Sequence, residues 1–365
     1  MRLITIIAGA RPNFMKIAPI IDAIKFAQQQ GSNINYRLIH TGQHYDEKMS
    51  KSFFHELQIP EPDVNLECGG GTQAEQTAAI MIKFEQELLQ NPADLVLVVG
   101  DVTSTMACAI VAQKLHVKVA HVEAGIRSGD WTMPEEINRL VTDSITNYFF
   151  TTSVVANNNL LSSGVDSTKI FFVGNTMIDT LLKQTTRLKK PQLFDEVSLN
   201  TGNFFILTLH RPANVDEGSK LDELLDEITS NSKSLPVIFP VHPRTRKQLN
   251  SLGKTYPNLI LTDPLGYLEF NFLVKHSKAV ITDSGGITEE TTVMGIPCMT
   301  LRDSTERPET CTVGTNELLG TNPKALKPVL EKLFTGEWKK GGIPELWDGK
   351  AAERIVQHII ELLHE

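Results

Sequence analysis

The sequence predicts an α/β protein made of two doubly wound halves. Three observations predict it. Short apolar runs alternate with amphipathic helical patterns along the 365 residues. The runs are nearly continuous in Val, Ile, Leu and Phe, as strands covered on both faces of a parallel sheet require. One polar, proline-bearing stretch, TTRLKKPQLFDEVSLNTGN (185–203), breaks the alternation into two similar parts.

Taken in order, the expected strands of the first half are LITIIAG (3–9), YRLIHTG (36–42), LVLVVGD (95–101), VKVAHVEA (117–124), NYFFTTS (147–153) and KIFFVGN (169–175). Those of the second are FFILTLH (204–210), LPVIFPVH (235–242), LILTDP (259–264), KAVITDSGG (278–286) and PCMTLRD (297–303). Helical patterns such as KFEQELLQN and ELLDEITSNS separate them. The domains implied are 1–175 and 176–349, and the amphipathic AAERIVQHIIELLHE at the end has a face to pack on either half. Open sheets of this kind bind ligands at the carboxyl ends of their strands, so a cleft between the halves is the expected site.

A hydrophobic fraction of 41% and a charged fraction of 21% are those of a soluble globular chain. The net charge of −8 argues against nucleic acid as the partner. Cys68, Cys108, Cys298 and Cys311 show no metal-ligand spacing and read as reduced thiols. The apolar run of MRLITIIAGARP is too short for a signal peptide or a membrane span. We therefore expect a cytoplasmic protein with neither a structural metal nor a membrane anchor.

Nearly every expected strand ends in small, polar or charged residues. TDSGGITEE (282–290) is the most informative: a strand feeds Ser284, Gly285 and Gly286, then a helix. Glycines admit close backbone approach, and free N–H groups at a helix start favour an anion. Glu290 falls near the end of the first helical turn, suited to vicinal ribose hydroxyls or simply to the helix dipole. Arg11, aimed by a turn between Gly9 and Pro12, and Lys16, a turn further on, are cations suited to a diphosphate; Lys16 reads equally well as a solvated helix lysine. In HVEAGIRSGDWTMPEEINR (121–139), Glu123 ends a strand and Glu135 and Glu136 follow Pro134, a good helix start. Of that pair, Glu136 reads as the complement to the helix dipole. Asp101 ends a strand before Thr103-Ser104-Thr105, where helix capping explains it as well as chemistry does. His210 also reads as a core histidine at a strand end.

The motifs GARPNFMK, TGQHYD, GDVTST, HVEAGIRSGD, MPEEINR, LHRPANV, GYLEF, TDSGGITEE and LRDSTERPE occur in this order, and the chain resembles the non-hydrolysing UDP-N-acetylglucosamine 2-epimerases from Arg2 to near Gly320. The resemblance implies the GT-B fold of two Rossmann-like domains facing a cleft, with the last helix (350–365) crossing back to the first domain. It implies a cytoplasmic homodimer acting on a UDP-sugar. It also places Asp101, Glu123 and Glu135 on the family's three catalytic acids and His210 on its histidine. Arg11, Ser284, Gly285 and Gly286 match diphosphate-binding positions, Glu290 the ribose-binding acid and Phe270 the aromatic beside uracil.

The chain departs from the family pattern at Asn13, where Glu is common, and at Pro212 and Ala213, where many members read HRRE. The connection from Glu123 to Glu135 is shorter than the commonest form. Gln43, His44 and His242 are kept. Asp46 and CGGGTQ (68–73) replace residues of a regulatory nucleotide-sugar site found in some members, which is therefore expected to be altered or absent.

The implied reaction interconverts UDP-GlcNAc and UDP-ManNAc by elimination of UDP to 2-acetamidoglucal and re-addition. It needs acid/base groups on both faces of C2 and no redox step. No GxGxxG follows a strand, so no cofactor is expected. Arg127 and Arg139 read as residues that shape the surroundings of the acids. Competing readings are an epimerase of a UDP-2,3-diacetamido uronic acid, a hydrolysing 2-epimerase, a GT-B glycosyltransferase and a silent nucleotide-sugar binder.

Overall fold

Among the residues that the computed structural model describes (1–42, 56–241 and 243–364), thirteen strands form two all-parallel sheets. Gln43, His44, Asp46 and His242 lie outside the described residues. The first sheet contains β1 (Arg2–Ala8), β2 (Ile34–His40), β3 (Val64–Asn65), β4 (Leu95–Val99), β5 (Lys118–Val122), β6 (Tyr148–Thr151) and β7 (Ile170–Phe172), in the order β3-β2-β1-β4-β5-β6-β7. In register, Ile4 of β1 faces Tyr36 of β2 on one side and Leu95 of β4 on the other. The second sheet contains β8 (Phe205–Thr208), β9 (Val237–Pro240), β10 (Leu259–Thr262), β11 (Ala279–Thr282), β12 (Cys298–Thr300) and β13 (Asn316–Leu318), in the order β10-β9-β8-β11-β12-β13.

Both sheets repeat one Rossmann-type order, which reverses direction between β1 and β4 and again between β8 and β11. The continuous apolar runs follow from burial on both faces. Phe205, Leu207, Phe239 and Ile281 enter one core cluster, whereas Phe204, Ile206, Ile238 and Val280, their alternating neighbours, enter another. The edge strands β3 and β13 were not among the expected strands. They are Val-Asn and Asn-Glu-Leu, too short and polar to register as apolar runs.

The chain divides into two units, Met1–Lys183 with Glu345–Glu365, and Gln184–Pro344. The returning segment is tied firmly to the first unit. Trp347, fully buried, donates its indole N–H to the Thr152 carbonyl at 3.0 Å. Asp179, in the helix Thr176–Gln184, accepts from Ala351 N at 3.2 Å and Ala352 N at 2.7 Å, and so satisfies the start of the helix Ala351–His364. Ile355, Val356, Ile359 and Leu363 form the buried stripe of that helix. No helix among the described residues is long and apolar enough to cross a membrane. The four cysteines are free.

Candidate functional site

In the first unit the polar residues gather where the strand order reverses. The turn after β1 is organised by Asn13, whose Oδ1 accepts from Gly9 N and Ala10 N, both at 3.0 Å, while its Nδ2 donates to the Val99 carbonyl at the end of β4 (3.0 Å). Asn13, noted in the sequence as a departure, thus staples the first turn to the neighbouring strand. Arg11 opens the helix Arg11–Gln29, and its side chain lies outside the described residues. Lys16, one turn on, is buried, with Nζ 2.6 Å from Glu123 Oε2.

Glu123 follows β5 with φ +69°, left-handed for a residue that is not glycine. Such a conformation costs roughly 1–2 kcal/mol and persists only where the surroundings enforce it, commonly at functional sites. Here Glu123 N donates to the Phe150 carbonyl at 3.0 Å and the side chain is ion-paired with Lys16. Gly100, after β4, has φ +69° as well, and a Cβ there would lie 3.2 Å from Lys16 Nζ. The next residue, Asp101, is partly exposed, and its Oδ2 accepts from Arg139 Nη1 at 2.5 Å.

The helix Pro134–Ile145 buries its polar side. Glu136, Asn138, Arg139, Thr142 and Asp143 are all buried, whereas Ile137 is exposed. Glu136 is therefore no solvated complement to a helix dipole. Its carboxylate accepts from Ser128 N, Ser128 Oγ, Gly129 N and Arg139 Nε and holds the preceding loop in place. Burial pushes its pKa up, but these donors and the Arg139 charge outweigh burial and leave it below the ordinary glutamate value. Asn138 donates to the Asp101 carbonyl at 2.8 Å. Glu135, one position from Glu136, is partly exposed and makes no side-chain hydrogen bond among the described residues.

The second unit has its own polar cluster where its strand order reverses. Asp283, fully buried after β11, accepts from His210 N, Arg211 N and Asn214 Nδ2. Its Oδ1 lies 2.7 Å from His210 Nδ1, which leaves the other ring nitrogen of a 59% exposed side chain turned away from the carboxylate. Ser284 precedes the helix Gly285–Met294, whose first residues are the glycine pair. A Cβ on Gly285 would meet Glu306 Oε1 at 2.8 Å, while one on Gly286 would meet nothing within 4 Å among the described residues. The Gly286 side of the helix start is thus open, as approach by a ligand requires.

Glu290 is buried in the same helix, with Tyr267 Oη donating to its Oε1 at 2.8 Å. Burial raises it to about 7, against the opposing bonds from Tyr267 and Asn271. Phe270 is half-buried against the core of this unit.

Sequence reasoning missed Asp283, which anchors His210, and the pair His121 and Asp143. Lys16, read as suited to a diphosphate or as a solvated helix lysine, is not solvated: it is buried with its ammonium on Glu123. A faint signal for Asp283 was present: an aspartate closing an apolar strand just before a Ser-Gly-Gly turn.

A family model described as UDP-N-acetylglucosamine 2-epimerase matches residues 27–360. The chain is 42% identical to a Methanocaldococcus jannaschii UDP-N-acetylglucosamine 2-epimerase, over 97% of this chain and 98% of that one. It is 40% identical to a Pseudomonas aeruginosa UDP-2,3-diacetamido-2,3-dideoxy-D-glucuronate 2-epimerase, over 99% of this chain and 100% of that one. The crystal structure of the Methanocaldococcus jannaschii epimerase in complex with UDP-GlcNAc and UDP superposes with a TM-score of 0.87 at 41% identity, covering 99% of this chain and 100% of that chain. The two Rossmann-like sheets are those of the GT-B fold. On a near full-length match at this identity, the chain belongs to the UDP-N-acetylglucosamine 2-epimerase family, a family of isomerases.

Proposed function

We propose that the chain inverts C2 of UDP-N-acetylglucosamine to give UDP-N-acetylmannosamine, without releasing free sugar. The observation that carries this reading is the pairing of Glu123 with Lys16 and of Asp101 with Arg139 at the ends of adjacent strands β4 and β5. Two carboxylates, one oriented by Lys16 and the other by the Arg139 that also binds Glu136, suit proton transfer at one carbon. In the reaction the C1–O bond breaks and its electron pair leaves with UDP. The C2 proton passes to a carboxylate, giving 2-acetamidoglucal. A proton then returns to the opposite face of C2, and UDP adds back at C1, so no water is consumed and no electron is exchanged. Asp101, Glu123 and Glu135 handle the protons. Lys16 orients Glu123. Arg11 and the Ser284-Gly285-Gly286 turn hold the diphosphate, with His210 steadied by Asp283 beside it, Glu290 on the ribose and Phe270 beside the uracil. A cytoplasmic homodimer belongs to the same reading.

Proton NMR of UDP-GlcNAc incubated with the protein in heavy water tests it. Deuterium at C2 in both epimers, with no acceptor present, is the expected result. Absence of C2 exchange overturns an epimerase, and accumulation of free N-acetylmannosamine with UDP overturns the non-hydrolysing course. The 40% identity to the diacetamido-glucuronate epimerase favours a second reading, in which the sugar carries a 3-acetamido and a 6-carboxylate group. Running both UDP-sugars side by side separates the two by their kcat/KM.

Glu290 gives this site a pH dependence. An ionised carboxylate accepts ribose hydroxyls better than a neutral one, and burial has raised Glu290 to about 7. UDP-sugar affinity is therefore expected to weaken as pH falls through about 7 and to level off above it, with the effect flattened in Glu290→Gln. Stability carries the opposite sign. A carboxyl with a raised folded pKa contributes stability that is complete below its unfolded value and is lost as pH rises through about 7. Calorimetric titration with the UDP-sugar between pH 5.5 and pH 8 checks the binding limb.

A further inference from the structure

Both nitrogens of one buried imidazole face hydrogen-bond acceptors. His121, on β5 and fully buried, has Nε2 2.8 Å from the Gly100 carbonyl oxygen and Nδ1 2.7 Å from Asp143 Oδ1. A carbonyl oxygen only accepts, so Nε2 carries a proton. Asp143 Oδ2 accepts from Gly125 N at 3.0 Å and from Arg127 Nη1 at 2.6 Å. The Arg127 guanidinium and the Gly125 N–H, both on Oδ2, hold this buried carboxyl in its ionised form independently of the ring. An ionised Asp143 has no proton to donate, so Nδ1 carries one too. A neutral ring has a single N–H and satisfies one of these partners, not both.

We infer that His121 is held as an imidazolium that clasps the turn bearing Asp101 to the turn bearing Glu123, and that it is a positioning residue for both acids of the reaction proposed above. The connections are short. Gly100 immediately precedes Asp101, and its N–H donates to the Val122 carbonyl at 3.0 Å, so β5 holds that residue by both its N–H and its C=O. Gly125 closes the turn that starts at Glu123, and its N–H ends on the same Asp143 that receives the ring. Glu136 and Arg139, also on the helix Pro134–Ile145, hold the loop at Ser128 and the Asp101 carboxylate. One helix thus aligns the surroundings of both acids, and His121 is its link through the sheet.

The test is spectroscopic first. The full chain is labelled with ¹⁵N-histidine, and the ring signals of His121 are assigned by their absence in His121→Asn or His121→Gln. Two protonated ring nitrogens at neutral pH are expected; one protonated and one bare nitrogen overturns the inference. Asp143→Asn supplies a conservative control. Its amide can donate to Nδ1 of a neutral ring while its oxygen keeps Gly125 and Arg127, so His121 should lose one ring proton with the fold intact. A ring still doubly protonated in Asp143→Asn would also overturn it. In kinetics, His121→Asn should lower kcat by about 100-fold, the scale of a misplaced catalytic group, and leave KM within about threefold. An unchanged kcat, or a loss confined to KM, refutes the positioning role. The ring signals need no turnover. A wild-type protein without C2 exchange would therefore count against the epimerase reading alone.

Discussion

Glu123→Gln is expected to lower kcat by about 10²–10⁴-fold, the range over which a positioned proton-transfer group contributes. KM for the UDP-sugar should move far less, because Gln keeps the size and one acceptor oxygen of Glu and loses only the ability to take and return a proton. The same substitution leaves the buried Lys16 ammonium without its carboxylate, which lies 2.6 Å away in the native protein. A hydrogen bond to a charged group contributes roughly 1.5–3 kcal/mol, so a stability loss of about that size should accompany the kinetic defect. Steady-state rates taken well below the melting temperature, together with urea denaturation of both proteins, separate the two effects. Wild-type turnover in Glu123→Gln would remove this residue from the chemistry.

Gly125→Ala should be the most damaging single methyl group near the site. At φ +77° the backbone is left-handed, and the added Cβ would lie 2.3 Å from the Ala156 carbonyl oxygen and 2.9 Å from Leu160 Cγ. The helix Val154–Ser162, which carries both, would have to move. Left-handed strain costs roughly 1–2 kcal/mol and overpacking typically 1–3 kcal/mol, so a loss of about 3 kcal/mol or more is expected in equilibrium unfolding. Activity should fall even in the folded fraction, since Gly125 N is one of the donors that fix Asp143. Gly286→Ala is the useful contrast: its Cβ meets nothing within 4 Å among the described residues, so stability should change little.

The architecture was legible because a parallel sheet buried on both faces has no polar face to interrupt its apolar runs. β4, Leu95–Val99, is buried at all five positions and announced itself. β13, Asn316–Leu318, pairs only with β12, at the edge of its sheet, and left no such trace. Strand-end acids were legible as a group, since Asp101 and Glu123 each break an apolar run. Of their partners, Arg139 was read as shaping the surroundings of the acids and does pair with Asp101; the others were not legible. On the helix Pro134–Ile145 the charged side faces inward, so a hydrophobic pattern read in the usual sense assigns Glu136 and Asp143 to solvent. The contact of Lys16 with Glu123 was hidden for a related reason: the two are 107 positions apart, and spacing along one helix carries no information about a neighbouring strand. The left-handed backbone of Glu123 has no sequence marker at all, because glycine is the residue that advertises that conformation.

The return of the segment from Glu345 to the first unit sets an order of assembly during synthesis. On an emerging chain, Asp179 must wait for Ala351 and Ala352, and the surface that receives Ile355 and Ile359 stays uncovered, until all of Gln184–Pro344 has left the ribosome. The part made first is thus the part completed last, and throughout that interval it carries an apolar surface that a chaperone can bind.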